Sequence, residues 1–171
     1  HALEQYLDDG GFPKALQVDD PPGLLREYFK DIIERDVRRH VTVRSTLLLT
    51  RLAKAVFEST GSETSLRKLA KILEIAVDTI GGYLDAFHAA YLCLPCPYFT
   101  FSERKSLVRP CKYYPIDTGL ARAVTSKRGK DLGKRLETLV FHELKRRHGE
   151  VYYWRQHGEV DFVVSDHNGI T

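Results

Sequence analysis

Three cysteines and a histidine are the residues whose types could bind a metal or exchange thiols. Two residues separate Cys93 from Cys96, and Cys111 and His88 lie near them in the sequence. A C-x-x-C pair is typical of zinc sites and of redox-active thiols. This pair lies in a run that predicts a β-strand, however, where positions three apart point to opposite faces. We therefore predict no metal site and three free thiols, which suits a reducing compartment.

A second set of candidate functional residues is basic and lies at a predicted hairpin. Strands are expected over residues 92–101 and 107–116, with a polar turn at residues 102–106. Basic side chains at such a hairpin can contact a phosphate backbone without reading its sequence. They would equally keep an exposed sheet edge from aggregating. The candidate contacts are Arg104, Lys105, Arg109 and Lys112.

Asp161 is a carboxylate that lies between Val160 and Phe162 in another predicted strand. A carboxylate without a partner is costly among apolar neighbours, because burial removes its hydration. Its position therefore indicates a metal, a partner group or exposure to solvent.

The elements that would position the basic hairpin begin with residues 65–91, which predict two short amphipathic helices joined by a tight turn. Apolar residues recur by three and four in both helices, so each helix has one apolar stripe. A third helix, predicted over residues 45–57, would share a small core with them. Three helices followed by a hairpin make a winged helix-turn-helix.

The second helix of this pair is a poor candidate for reading DNA bases. A DNA-reading helix presents hydrogen-bond donors from its first turns, whereas acids repel phosphate. Two adjacent glycines in a helix instead indicate close approach of another backbone. We predict a packing or partner surface, with Thr79 as the candidate nucleic-acid contact of this helix. The outward positions are Asp78, Thr79, Gly81, Gly82 and Asp85.

The chain is predicted to divide into three parts. Residues 1–42 are expected to form a helical tail or linker, with a helix that starts near Pro22. Residues 43–125 would form the winged helix, and residues 126–171 a third unit, with the boundary between Thr125 and Asp131.

The third unit is predicted to be a helix followed by a hairpin. The helix would cover residues 132–147, and the strands residues 151–154 and 160–164. The apolar residues that the helix is expected to bury are Leu132, Leu136, Leu139, Val140 and Leu144.

Composition sets outer limits on function. The chain has 171 residues, and its 43% hydrophobic content is sufficient for packed cores. Its 26 basic and 23 acidic residues leave a net charge of +3, too little to demand a polyanionic partner. No apolar run approaches the ~18 residues of a membrane span, so we expect a cytoplasmic protein. The sequence has no methionine and opens at His1 in an apparent helix, which predicts a fragment.

Five motifs together resemble a known family. They are the helix pair, GGFP (residues 10–13), YFKDIIERDV (28–37), KYYPIDTGL (112–120) and GEVDFVV (158–164). Their order is similar to that in the C-terminal half of the predicted AAA+ P-loop ATPases of bacteria and archaea.

This resemblance implies a regulatory or substrate-engaging region that is not catalytic by itself and binds DNA weakly through the winged helix. It also implies three partners, which are the protein's own N-terminal ATPase domain, DNA, and further copies of the protein in an oligomer. The ATPase domain would bind ATP and Mg²⁺. The chain has no G-x-x-x-x-G-K-[ST] loop, so it is not expected to bind a triphosphate by itself.

The last segment is also similar to the opening of the PD-(D/E)XK nuclease fold, in which acidic residues hold a divalent metal that activates water. The similarity implies that Glu137 is the helix acid and that Glu159 and Asp161 lie in the region of the strand aspartate. The acid-x-lysine pair of that fold is absent, so this chain is not expected to cut DNA. Glu137 and Asp161 could equally form a surface pair or tether helix to sheet.

The predicted fold class is thus α+β and mostly helical, a winged helix-turn-helix followed by an incomplete α/β nuclease-like domain. Two alternative functions remain open. One is a metal-dependent DNA nuclease when the domain is complete, and the other is a winged-helix DNA-binding protein.

Overall fold

A computed structural model describes residues 2–43, 45–125, 132–156, 158–166 and 169–170. Helices predominate and the strands form two small antiparallel sheets, so the predicted α+β, mostly helical class is confirmed. The α-helices are α1 (Ala2–Asp9), α2 (Pro21–Asp31), α3 (Thr46–Glu58), α4 (Leu66–Leu73), α5 (Val77–Ala89), α6 (Glu103–Val108), α7 (Thr118–Val124) and α8 (Leu132–His148). The strands are β1 (Glu63–Thr64), β2 (Cys93–Cys96), β3 (Cys111–Pro115), β4 (Val151–Arg155), β5 (Glu159–Asp166) and β6 (Gly169–Ile170).

The predicted helix pair and its third partner correspond to α4, α5 and α3. The Ser45 and Ser65 hydroxyls accept hydrogen bonds from backbone N–H groups in the first turns of α3 and α4. Glu74, with φ +56°, ends α4 in the left-handed conformation and turns the chain into α5. The apolar stripes of the helices meet in one core, where Leu52 and Ile80 are fully buried.

The glycines of α5 do not have the neighbour that the sequence predicted. A Cβ built on Gly81 or on Gly82 meets no described atom within 4 Å. The prediction of a close backbone approach is therefore wrong for the described part of the chain. Open space lies beside both glycines, whereas Ile80 and Leu84 of the same helix are buried.

The first sheet has the strand order β1-β3-β2 and separates two cores. Cys93 lies in the core shared with the helices, whereas Leu94 and Cys96 belong to a second core with Tyr114. Cys93 and Cys96 thus point to opposite faces of the sheet, as a strand requires.

The predicted polar turn between the two strands is wrong, because residues 103–108 form the helix α6. The Ser102 hydroxyl accepts a hydrogen bond from the Lys105 N–H and caps the helix. An N-cap serine followed by several good helix formers favours a helical turn over an open hairpin tip. The strands are correspondingly shorter than predicted.

The segment over residues 2–42 contributes side chains to the main core. The carboxylate of Asp20 accepts from the Gly23 N–H at 3.0 Å and caps α2, which starts as the sequence predicted. A π-helical turn (Ile32–Asp36) and a short 3-10 turn (Val37–Arg39) continue α2. The core side chains from this segment are Ala15, Leu25, Phe29, Ile33 and Val37.

A second sheet, with the order β4-β5-β6, follows α8 and continues from the first. The chain after β2 runs parallel to β4, where the Phe99 N–H donates to the Tyr153 carbonyl at 2.7 Å and the Tyr153 N–H donates to the Pro97 carbonyl at 3.0 Å. The predicted helix and the two predicted strands are confirmed here. The predicted boundary falls on residues 126–131, which lie outside the described residues.

Helix α8 buries only part of the predicted face, since Leu144 packs against the second core whereas Leu132, Leu136 and Val140 do not. Leu132, Leu136 and Val140 are 50%, 45% and 42% exposed, respectively. Instead, Thr138 and Phe141 are buried, and the Phe141 ring stacks on Tyr114 with centroids 4.3 Å apart. The prediction that the Leu132–Val140 stripe forms the core contact is therefore wrong.

No helix in the described ranges has the length and apolar character needed to cross a bilayer.

Candidate functional site

Lys112 on β3 lies at the junction of the two sheets with only 1% of its side chain exposed. Its Nζ lies 2.6 Å from Glu159 Oε1, 3.8 Å from Asp161 Oδ1 and 5.0 Å from the centre of the Tyr153 ring. A buried ammonium needs such counter-charges, because desolvation otherwise disfavours it strongly. Lys112 therefore joins β3 to β5, and its burial contradicts the prediction that it contacts phosphate from the hairpin.

Asp161 has both the partner and the solvent exposure that its sequence context suggested. Its side chain is 63% exposed while one oxygen faces Lys112. Glu159, which lies two positions earlier on β5, makes the shorter ion pair. Side chains at positions i and i+2 of a strand share a face, so one lysine can meet both carboxylates.

Glu137 on α8 is half-buried and accepts a 2.6 Å hydrogen bond from the Tyr114 hydroxyl. Burial raises the pKa of Glu137, while the Tyr114 hydrogen bond and the charge of Lys112 oppose this rise. The carboxylates of Asp161 and Glu159 raise this pKa further. Glu137 thus tethers α8 to β3 and contributes to the same electrostatic cluster as Lys112.

The two predicted catalytic residues, Glu137 and Asp161, therefore lie around one buried lysine. Among the residues that the structure describes, no three His, Cys, Asp or Glu side chains are grouped closely enough to hold a metal ion. A catalytic role for the pair stays a prediction.

Replacing Tyr114 with Phe is expected to raise the pKa of Glu137 further, because the substitution removes a hydrogen bond that stabilises the carboxylate. A pH titration of the Glu137 side-chain carboxyl carbon by NMR measures this. Tyr91→Phe, at a tyrosine that is 70% exposed, serves as the control and should leave the pKa unchanged. A Glu137 pKa that stays constant or falls in the Tyr114 variant would contradict the assigned bond.

The three cysteines are free thiols in or near the first sheet. Burial raises the pKa of Cys96 and of Cys111 to about 12, and it raises that of Cys93 as well. The thiols are therefore neutral at ordinary pH. A neutral, buried thiol is a poor nucleophile.

Arg104, Lys105 and Arg109 form a basic surface on and after α6, which we call the α6 surface. All three side chains are exposed, and none forms an ion pair with a side chain that the structure describes. The Arg109 guanidinium lies 4.7 Å from the centre of the Tyr98 ring. Three of the four predicted basic contacts therefore share one surface, whereas Lys112 is buried at the junction of the two sheets.

Thr79, the remaining predicted contact, lies on α5 and is half-buried beside the exposed Asp78. The first turn of α5 has an acid and no basic residue. The geometry does not add Thr79 to the α6 surface.

Aromatic side chains beside the α6 surface were missed from the sequence. Phe101 is 89% exposed, and its ring lies 5.2 Å from Phe99, which in turn lies 5.8 Å from Tyr152. The spacing of Phe99 and Phe101 was a usable signal. Both residues fall in the strand predicted over residues 92–101, where side chains two apart share a face.

Asp117 was also missed, although two of the quoted motifs meet there. Its carboxylate accepts from the Gly11 N–H at 2.6 Å and from the Leu120 N–H at 2.7 Å. A Cβ built on Gly10, which has φ +79°, would overlap this carboxylate, and one on Gly119 would overlap the α1 backbone. The glycines of both motifs are therefore explained by packing.

The class that this architecture defines is a mixed α+β domain with a basic surface between two strands of its first sheet. The chain belongs to the family described as Domain of unknown function (DUF8612), whose model matches residues 1–131. An uncharacterized protein of Methanocaldococcus jannaschii is 30% identical over 97% of this chain and 40% of that protein. An uncharacterized protein of Haemophilus influenzae is 28% identical over 94% of this chain and 42% of that protein.

The chain spans about two fifths of the length of these curated relatives. No solved structure matches the sequence.

This membership corrects the resemblance to the AAA+ P-loop ATPases and to a nuclease-like start, which was wrong. The matching family is a different one, and the two relatives align along nearly the whole chain. The expected ATP, Mg²⁺ and upstream ATPase domain rested on that resemblance and lose their support with it. Each motif was only moderately specific, and the contacts of Asp117 with both glycine motifs give a packing reason for two of them.

Proposed function

We propose that this chain is a non-catalytic nucleic-acid-binding module that contacts phosphates through the α6 surface. The observation that supports this most is the set of three exposed cations, Arg104, Lys105 and Arg109, without a described ion-pair partner. A cation paired on the protein must break that pair before it binds phosphate, so cations without a described partner are the better candidates. Contacts of this kind position a nucleic acid without reading its sequence.

We further propose that α3, α4, α5 and the first sheet make a winged helix in which α6 takes the place of the wing tip. The helix packing and the strand order β1-β3-β2 support this topology. In this arrangement α5 does not read bases, because its outward side chains include Asp78 and Asp85. The α6 surface is then the part that meets the phosphate backbone.

The binding should be weak and strongly dependent on salt. The net charge of the chain is only +3, so local charges rather than the overall field must attract the polyanion. Three phosphate contacts give a slope of log K against log salt of about −2 for a single strand and about −2.7 for a duplex.

The paired substitution Arg104→Ala/Lys105→Ala tests the proposal. Loss of two phosphate contacts is expected to weaken binding roughly 10- to 30-fold at about 0.1 M salt and to make the salt slope shallower by about 1.4. Fluorescence anisotropy with a labelled oligonucleotide measures both quantities. Circular dichroism verifies that the variant remains folded.

Arg67→Ala/Lys68→Ala is a matched control, because it removes two adjacent, exposed cations from α4. Its affinity should stay within about twofold of the unmodified chain. An equal loss in both variants would show that only the overall charge matters, and it would contradict a site on α6.

The alternative functions from the sequence, a metal-dependent DNA nuclease and a sequence-specific winged-helix protein, stay predictions. For the nuclease, Lys112 already pairs with Glu159 and faces Asp161, so a metal ion would have to compete with an internal ion pair. For the sequence-specific protein, the acids of α5 oppose entry into a groove lined by phosphates.

A further inference from the structure

We infer that the nucleic acid bound at the α6 surface is single-stranded and that its bases stack on Phe101 and the aromatic row behind it. This inference rests on the proposed function and specifies its ligand. The aromatic row consists of Phe101, Phe99 and Tyr152.

The aromatic row is exposed to solvent, most of all at Phe101. Phe101 is 89% exposed, whereas the neighbouring aromatic residue Tyr98 is buried. Leaving a whole phenyl ring in water forgoes about 1.5–3 kcal/mol of burial free energy, and an exposed ring that continues into further aromatic side chains forms the kind of apolar patch that marks a binding site. Phe99 and Tyr152 are half-buried and continue the row from Phe101 toward β4.

The row is held on ordered backbone. The Phe99 N–H donates to the Tyr153 carbonyl, and the Ser102 N–H donates to the Thr100 hydroxyl at 3.2 Å. Phe101 meets the edge of Phe99 at an interplanar angle of 77°, and Phe99 meets Tyr152 at 74°. The rings therefore support one another, and binding a base would require little reordering of these side chains.

The charges at the two ends of the aromatic row favour an anionic ligand at one of them. Ser102 follows Phe101 directly and caps α6, so the exposed Arg104 and Lys105 begin only three residues after the ring. At the other end of the row the Tyr152 hydroxyl donates to Glu150, which places an acid there. The segment after Phe101 also contains the acid Glu103, but the three cations of the α6 surface outnumber it, so an anionic ligand should bind at the Phe101 end of the row.

Aromatic rings beside cations match a single strand better than a duplex. In a duplex the base faces are covered by their neighbours, and a ring such as Phe101 finds no π-face to contact. In a single strand the faces are accessible, and stacking on an aromatic side chain is tolerant of sequence. A lone cationic surface would bind both forms, so the aromatic row provides the discrimination.

Fluorescence anisotropy with labelled oligo-dT and oligo-rU of about 12 nucleotides, and with a duplex of equal length, tests this inference. The single strands are expected to bind more tightly than the duplex. Phe101→Ala should weaken single-strand binding about tenfold and leave duplex binding within about twofold. A preference for dT or for rU reports on the 2′-hydroxyl and the thymine methyl group together, and either result supports a single-stranded ligand.

Val108→Ala is the matched control, because Val108 is an apolar side chain on α6 that is 77% exposed. Its affinity for single strands should stay within about twofold of the unmodified chain. An equal loss for Val108→Ala and Phe101→Ala would indicate a general apolar contact, as with a protein partner, and would overturn the stacking.

Phe101→Trp gives a second readout, since a tryptophan stacked on a base is quenched. The affinity of the Phe101→Trp variant should match that of the unmodified chain, and its emission should fall on addition of oligo-dT. The unmodified chain, whose single tryptophan is Trp154, gives the reference emission. Unchanged emission at saturation would overturn the inference. If the single strand and the duplex bind equally and Phe101→Ala alters neither affinity, the stacking inference is overturned but phosphate binding stands. If neither form binds, the proposed function itself is refuted.

Discussion

The double substitution Glu159→Gln/Asp161→Asn is expected to destabilise the protein by about 2–3 kcal/mol, because it removes the two carboxylates that pair with the buried Lys112 ammonium and leaves Glu137 as the remaining acid of the cluster. Breaking a fully buried pair costs about 3–5 kcal/mol. The expected value is smaller because both carboxylates are partly exposed and solvent screens them. The free energy of unfolding, obtained from urea denaturation, measures the effect.

Lys112→Met should cost much less, within about 1 kcal/mol, although it removes the same ion pairs. Methionine fills a similar volume, and the carboxylates of Glu159 and Asp161 can be hydrated when the lysine is gone. Glu143→Gln is a surface control, since Glu143 pairs with the exposed Arg146 and Arg147, and it should cost less than the double substitution. A Lys112→Met variant that is less stable than the double substitution would contradict the interpretation.

The same pair has a defined pH dependence. The hydrogen bond from Lys112 lowers the pKa of Glu159 below its usual range. The pair's stabilisation is therefore present above the unfolded-state pKa of about 4.3 and is lost as the pH falls through the lower folded-state value. The contribution of Glu159 to this acid sensitivity should disappear in Lys112→Met.

The substitution Asp117→Ala is expected to destabilise the protein by about 2–4 kcal/mol. Asp117 is buried and accepts from two backbone N–H groups, those of Gly11 and Leu120. The Leu120 bond caps α7, which is typically worth about 1 kcal/mol, and a hydrogen bond to a charged group contributes about 1.5–3 kcal/mol. The free energy of unfolding in urea and the hydrogen exchange rates of the two amides measure the loss.

Asp117→Asn should cost about half as much, because the amide keeps one acceptor oxygen and loses the other. Asp20→Ala is the matched control, since Asp20 caps α2 through one exposed bond to Gly23, and its removal should cost about 1 kcal/mol. The role assigned to Asp117 would be refuted if its alanine variant were no less stable than the Asp20 variant.

The sequence predicted helices and strands well in segments where the apolar residues follow a single period. Helices α3, α4 and α5 lie within two residues of their predicted bounds, since each has a single apolar stripe. The start of α2 and the strands β4 and β5 also followed from local signals. Helix α8 shows the limit of this approach, because the stripe at Leu132, Leu136 and Val140 has the same helical spacing as a buried stripe but is exposed.

The sequence could not predict contacts between distant residues. Lys112 and Glu159 are 47 positions apart, and no periodicity connects them, so the lysine was interpreted as part of a basic hairpin. The hairpin itself was mistaken because S-E-R-K-S has the composition of a polar turn as well as of a capped helix. The α6 surface was nevertheless found, because exposed cations in a polar segment need no long-range information.

The most direct test of the central claim is the affinity of the unmodified chain for a single-stranded oligonucleotide between about 50 and 200 mM salt. Contacts from Arg104, Lys105 and Arg109 predict that log K falls linearly with log salt with a slope of about −2. Absence of binding at the lowest salt, or an affinity that does not change across the series, would contradict nucleic-acid binding by the α6 surface.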